Sequence, residues 1–258
     1  MDKKNIIVSD TASRAGRCLP ITPENSALNG LAYGRIILNR QVNDITYNTG
    51  SREMSLICLH GSGTVQAGGK TFTLGSYDTV YVPPHTLIRV KTEEGFDLVE
   101  SSAPSDHQGE PEFVSFSALQ NDPVLHMELG TPACKRTLYR LIDDNVKASR
   151  LLCGLIFSED GNWTSWAPHE HAETKEEIYL YFDMPAPAFG IQMIYEDLRN
   201  PEFVAPVFEN DAVVIKKGYH PNVAIPGHPM NFVWMMATND ASMKRSWADV
   251  NTQPAFKK

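Results

Sequence analysis

The chain has 258 residues, a formal net charge of −8, 42% hydrophobic and 21% charged residues, an ordinary globular composition that fits one large domain or two smaller ones. The acidic balance argues against nucleic acid and anionic membrane as partners, because both select basic surfaces, and leaves a small molecule as the default ligand. Four scattered cysteines, Cys18, Cys58, Cys134 and Cys153, form no C-x-x-C pair, which sets aside a disulfide framework and a cysteine zinc site. No signal-like or membrane-spanning apolar run is present, so a soluble, cytoplasmic protein with reduced thiols is expected.

In chain order, short apolar or alternating runs follow one another: "MSLICLHG" (54–61), "GTVQAGGKTFTLG" (63–75), "DTVYVPP" (78–84), "LIRVKT" (87–92) and "DLVESS" (97–102). After a break come "LLCGLIF" (151–157), "EEIYLYF" (176–182), "FGIQMIY" (189–195), "DAVVIKK" (211–217) and "MNFVWMMA" (230–237). Strands this short and this regularly spaced predict an all-β sandwich or barrel. Only 113–122 and 240–250 have a brief helical pattern. The halves echo each other: Glu53 or Glu177 heads a strand, a turn follows, and a D-x-V-x-(V/I) strand leads to His85 or His220. That order predicts a duplicated β-unit with its seam within 109–137.

The chemistry gathers in the second half. In "PHEH", His169 and His171 are spaced H-x-H, which on a strand places both rings on one side. Imidazoles suit zinc, manganese, iron, nickel or copper, and a carboxylate with a third histidine would complete four protein ligands. Glu173, Glu176 and Glu177 are the candidate carboxylates. Alternation in "EIYLYF" puts Glu177, Tyr179 and Tyr181 on one face and Ile178, Leu180 and Phe182 on the other, so Glu177 is preferred, and Glu173 and Glu176 are read as loop or rim residues. His220, in a turn marked by Gly218 and Pro221, is the expected third histidine.

An H-x-H, a glutamate on the next strand and a histidine after a D-x-V-x-I strand resemble the two motifs of the cupin superfamily. The resemblance implies a bicupin: two tandem cupin-type β-barrels (double-stranded β-helix or jelly roll), residues 1–125 with a degenerate metal site and 126–258 with the metal. "GNWTSWAPHEH" (161–171), "EEIYLYF", "FGIQMIYEDLR" (189–199), "GYHPNVAIPG" (218–227) and "KRSW" (244–247) further resemble the 5-deoxy-glucuronate isomerase family of inositol catabolism, sister to the 4-deoxy-5-ketouronate isomerases. The link from His171 to Glu177 is shorter than in that branch, Ala172 stands where an acid is usual, and "NFVWMMA" replaces a more tyrosine-rich strand.

This resemblance implies an aldose to ketose isomerisation of a deoxy uronic acid through an enediolate, with zinc or manganese held by His169, His171, Glu177 and His220. Glu177, Tyr179 and Tyr181 are the catalytic candidates on the predicted inner face. Arg136, Arg140, Arg199 and Lys217 are candidate cations for the substrate carboxylate, Arg136 and Arg199 foremost, and Gln192 a candidate for a sugar hydroxyl. An iron-dependent cupin dioxygenase and a non-catalytic sugar-binding cupin are the rival readings. The expected partner is a small sugar acid, with neither nucleic acid nor membrane, in a homo-oligomer.

Overall fold

The structure, a computed structural model, describes residues 6–171 and 173–257. Ala172 therefore lies outside the described residues. The protein is nearly all-β, and its sheets are antiparallel. Six strands, in the order Glu112–Val114, Thr79–Val82, Arg52–Gly61, Gly95–Pro104, Ala32–Asn39 and Gly16–Ile21, face a sheet of Asp44–Asn48, Leu87–Lys91, Gly63–Ala67 and Lys70–Leu74. Seven strands, Ile7–Val8, Ala212–Ile215, Lys175–Phe182, Asn231–Thr238, Leu151–Ser158, Arg136–Ile142 and His126–Leu129, face Trp163–Thr164, Asn222–Ala224, Gly190–Ile194 and Phe203–Val207. A further small pairing joins His169–Glu170 to Asn251–Thr252.

Each facing pair encloses its own core, with Leu56, Val80 and Leu98 against Val65 and Val90 in the first and Leu152, Tyr179 and Phe232 against Ile194 and Val207 in the second. A third core lies between the outer faces of the two large sheets, where Ile57, Leu59 and Val99 meet Ile178, Leu180 and Val233. Lys175–Phe182 is consequently buried on both faces along its whole length. Its alternation holds, but the Ile178 face packs against the other half of the chain rather than facing solvent. Burying side chains of this size stabilises by about 1.5–3 kcal/mol each, so this seam is a large part of the fold's stability.

The two halves repeat in register. Cys58 N–H donates to Asp78 O and Tyr77 N–H to Cys58 O; Tyr181 N–H donates to Asp211 O and Asn210 N–H to Tyr181 O. Tyr77 and Asn210 both have left-handed φ, +67° and +66°. Met54 pairs with Val82 as Glu177 pairs with Ile215. The position equivalent to Glu177 is thus Met54, and Glu53 matches Glu176, one residue off the sequence-based alignment. Both glutamates are buried at the seam. Glu53 accepts from the amides of Ser149, Arg150 and Leu151, and Glu176 accepts from those of Asn29, Gly30 and Leu31. Each half therefore grips the other's entering strand with a carboxylate. His85 lies exposed on its turn at φ +57°, away from the core.

Other expectations change as well. Glu176 is no rim residue; it is 1% exposed. The helix expected at 113–122 is one turn, Phe116–Leu119. The segment 240–250 forms turns, started by Asp240, whose carboxylate accepts from Ser242 N–H, and stretched by Arg245, which donates to the carbonyls of Val146 and Leu151. Strands Ala32–Asn39 and Arg136–Ile142 escape the pattern because arginines interrupt them; Arg35 is nonetheless buried, its Nε and Nη2 on Asp97 at 2.5 and 2.7 Å. Among the described residues, no helix is long and apolar enough to cross a membrane.

Candidate metal centre

Two strands and two turns converge inside the second sheet pair. His169 opens the short strand His169–Glu170 directly after Pro168, His171 follows on the turn that closes when Thr174 and Lys175 N–H donate to its carbonyl, and His220 sits beyond Gly218. The left-handed φ of Gly218, +97°, and the close approach of Tyr195 O make that position one for glycine. One ring nitrogen from each histidine lies within 4.8 Å of the other two. Glu177, inward on its strand, brings Oε2 to 3.0 Å from His171 Nε2 and 3.2 Å from His220 Nε2.

The ring orientations are fixed from outside. His169 Nδ1 bonds Ala167 O at 3.0 Å and His220 Nδ1 bonds Gly218 O at 2.9 Å, which makes Nδ1 the proton-bearing nitrogen and turns Nε2 inward as a lone-pair donor. His220 Nε2 is buried without a hydrogen-bond partner, an orphan that a cation would satisfy. Burial, and then the neighbouring His220 and His171, push His169 down to about 3, so its imidazole is neutral at physiological pH. Burial favours a neutral Glu177, but His171 and His220 outweigh it and hold the carboxyl well below its usual range. Three imidazoles and one carboxylate fit a divalent cation.

A cavity of about 340 Å³ opens onto this cluster, lined mostly by apolar groups such as Phe232, Trp234 and Met236, together with Arg136, Ser165 and Tyr179. Tyr179 is buried, and its hydroxyl lies 2.9 Å from Ser165 Oγ. Ser165 holds a left-handed φ of +49°, a strained conformation that aims its hydroxyl at this pair. Burial pushes the Tyr179 phenol well above its usual value, so it carries its proton at neutral pH. Arg136 Nη1 and Nη2 donate to Cys134 O and Trp166 O at 2.8 and 2.6 Å, bonds to backbone carbonyls rather than to an acid.

The remaining candidates fall elsewhere. Arg199 is exposed on the turn after Tyr195, and Lys217 pairs on the surface with Glu196 at 2.6 Å. Arg140 bonds Asp143 and stacks over Trp247. Glu173 is exposed, as expected of a rim residue. Tyr181 and Gln192 are buried but bind each other: Tyr181 Oη donates to Gln192 Oε1 at 2.5 Å and accepts from Asn222 Nδ2 at 3.0 Å. Gln192 Nε2 also donates to His220 O at 3.1 Å, so the pair positions the His220 turn. Thr164 and Asn222 complete this network, and they, like Ser165 beside Tyr179, were invisible as lone polar residues. Gln192→Leu is expected to weaken divalent metal binding by about 10–100-fold, the usual cost of losing an outer partner, read by competition with a chromophoric chelator.

The facing antiparallel sheets form a cupin-like fold, as in a cupin 2 conserved barrel domain protein from Leptotrichia buccalis, TM-score 0.53 at 10% identity over 89% of this chain and 92% of that one. Solved structures agree: oxalate decarboxylase from Bacillus subtilis matches at TM-score 0.65 and 12% identity over 94% of this chain and 79% of its own. The chain belongs to the KduI/IolB family, whose sequence model matches residues 6–258. An IolB-like protein from Salmonella typhimurium LT2 superposes with TM-score 0.86 at 23% identity, over 98% of both chains. A 5-deoxy-glucuronate isomerase from Geobacillus thermodenitrificans is 24% identical over 250 residues, 90% of this chain and 89% of that one. A 4-deoxy-L-threo-5-hexosulose-uronate ketol-isomerase from Caldicellulosiruptor bescii is 26% identical over 212 residues, 79% of this chain and 72% of its own.

Proposed function

We propose that the protein is a metal-dependent isomerase of a deoxy uronic acid, most closely a 5-deoxy-glucuronate isomerase, folded as a bicupin divided near residue 125 with Ile7–Val8 lent to the second unit. The observation that carries this reading is the buried cluster of His169, His171, His220 and Glu177 opening onto a cavity that holds a guanidinium. Family membership and relatives named as uronate isomerases support it. Those four side chains would hold zinc or manganese, and the bound ion would polarise the substrate carbonyl and spread the negative charge of an enediolate.

The chain's own residues set the rest. Arg136, oriented by two carbonyls, offers its remaining N–H donors to the uronate carboxylate. Tyr179, protonated and coupled to Ser165, donates a hydrogen bond to a substrate oxygen, a role for which its raised pKa suits it better than that of base. The apolar wall of Phe232, Trp234 and Met236 excludes water from the reacting carbons. Tyr181 and Gln192 serve as positioning residues.

The test is incubation of zinc- or manganese-loaded protein with 5-deoxy-glucuronate and, separately, with 4-deoxy-5-ketouronate, following loss of the starting carbonyl by NMR. Turnover of the first is expected, turnover of the second alone moves the protein to the sister branch, and turnover of neither sinks the reading. Arg136→Gln should raise KM by about 10–100-fold, consistent with losing a charge-assisted hydrogen bond of about 1.5–3 kcal/mol, while kcat falls less.

A further inference from the structure

The wall of the cavity opposite the large sheet comes from the end of the chain. Trp247, Val250 and Thr252 line it, although the sequence offers that segment only as a short helix. This strap, residues 245–256, runs at the edge of the core: Trp247 packs against it, while Val250 and Phe256 are 39% and 38% exposed. What holds it is a set of specific bonds. Asn251–Thr252 pairs with His169–Glu170, so the strap is the strand partner of a proposed metal ligand. Gln253 N–H donates to Pro168 O at 2.9 Å, Tyr195 Oη donates to Gln253 Oε1 at 2.8 Å, and the Phe256 ring packs on Trp166 at 5.1 Å.

The central fastening is Lys175. Its side chain is fully buried, and its ammonium donates to Asp249 O at 2.8 Å and Thr174 Oγ1 at 3.1 Å, with Asp249 Oδ2 at 3.4 Å. A buried ammonium requires acceptors, and the strap supplies two of these three. Lys175 belongs to the strand that carries Glu177, so one strand sets both the carboxylate ligand and the height of the opposite wall.

We propose that this strap is the specificity-determining wall of the site and that Lys175 is the positioning residue that fastens it. The proposal rests on reading the cavity as the uronate site.

The experiment is hydrogen exchange by mass spectrometry on full-length, metal-loaded protein, wild type against Lys175→Met, with KM, kcat and metal content measured alongside. Exchange at 245–256 is expected to quicken while Asn231–Thr238 stays protected and the metal is retained. KM should rise by about tenfold or more with a smaller change in kcat, because a displaced wall costs orientation of bound substrate. Unchanged exchange in a folded Lys175→Met, or quicker exchange with KM unmoved, overturns the proposal. If Lys175→Met does not fold, Val250→Trp at its half-exposed position decides: a raised KM supports the wall and an unmoved KM overturns it. A wild type that turns over no uronate overturns the isomerase reading instead, and the exchange comparison still decides whether Lys175 holds the strap.

Discussion

His220→Ala is expected to lose stoichiometric divalent metal and to lower kcat/KM by about a thousandfold or more, the scale on which removal of one preorganised electrostatic group slows a reaction. His220 is the proposed ligand to choose because its ring is held from one side and presents its other nitrogen to the cluster. Nδ1 is tied to Gly218 O at 2.9 Å, and Nε2 lies buried beside Glu177 without a hydrogen-bond partner. Glu177→Gln keeps the volume and removes the charge, so it should match His220→Ala in activity while disturbing packing less. Metal content by plasma emission spectrometry and far-ultraviolet dichroism on the same samples separate ligand loss from unfolding. Full metal occupancy with wild-type turnover in both variants would falsify the assignment of the centre.

The cluster of His169, His171, His220 and Glu177 was legible in the sequence because its signals are local. H-x-H, the alternation of "EIYLYF" and a glycine-marked turn before His220 each follow from backbone geometry over a few residues. The errors share the opposite property. Glu53 was matched with Glu177, yet the register pairs Met54 with Val82 as it pairs Glu177 with Ile215. A shift of one residue exchanges the two faces of a strand, so a correct motif order carried the wrong face. Glu176 looked like a rim acid because nothing near it in sequence reveals the amides of Asn29, Gly30 and Leu31 arriving from the other half. Tyr181 and Gln192 were rightly read as inward, but alternation cannot say that they bind each other before any substrate. The strap lay hidden for a similar reason: Lys175 and Asp249 are far apart in the chain, and their bond runs mostly to a backbone carbonyl.

Glu176→Ala is expected to destabilise the protein by about 3–5 kcal/mol, the cost of breaking a buried ionic group's pairing. The carboxylate accepts from three backbone amides and from Lys216 Nζ at 2.5 Å, and its side chain is 1% exposed. Alanine would leave those amides without acceptors at about 1–3 kcal/mol for each buried group, offset where water enters the space. Burial alone would raise the Glu176 carboxyl, but the Leu31 amide, Lys216 and the amides of Asn29 and Gly30 outweigh it and hold the group below the usual carboxylate value of 4.5. Its contribution is thus fully present above that value and fades as pH falls through the lower, folded one. Urea midpoints of wild type and variant should differ most at neutral pH and converge in acid. Glu53→Ala, which empties the reciprocal clasp on Ser149, Arg150 and Leu151, should likewise lower the urea midpoint at neutral pH, since both loosen the same seam. Glu176 precedes the proposed ligand Glu177 on one strand, so its loss should also weaken metal binding, whereas Glu53→Ala, distant from the centre, should leave metal affinity closer to wild type. Equal stability at neutral pH would mean that water replaces the carboxylate without cost and that the apolar contacts of Ile57, Leu59, Ile178 and Leu180 alone hold the halves together.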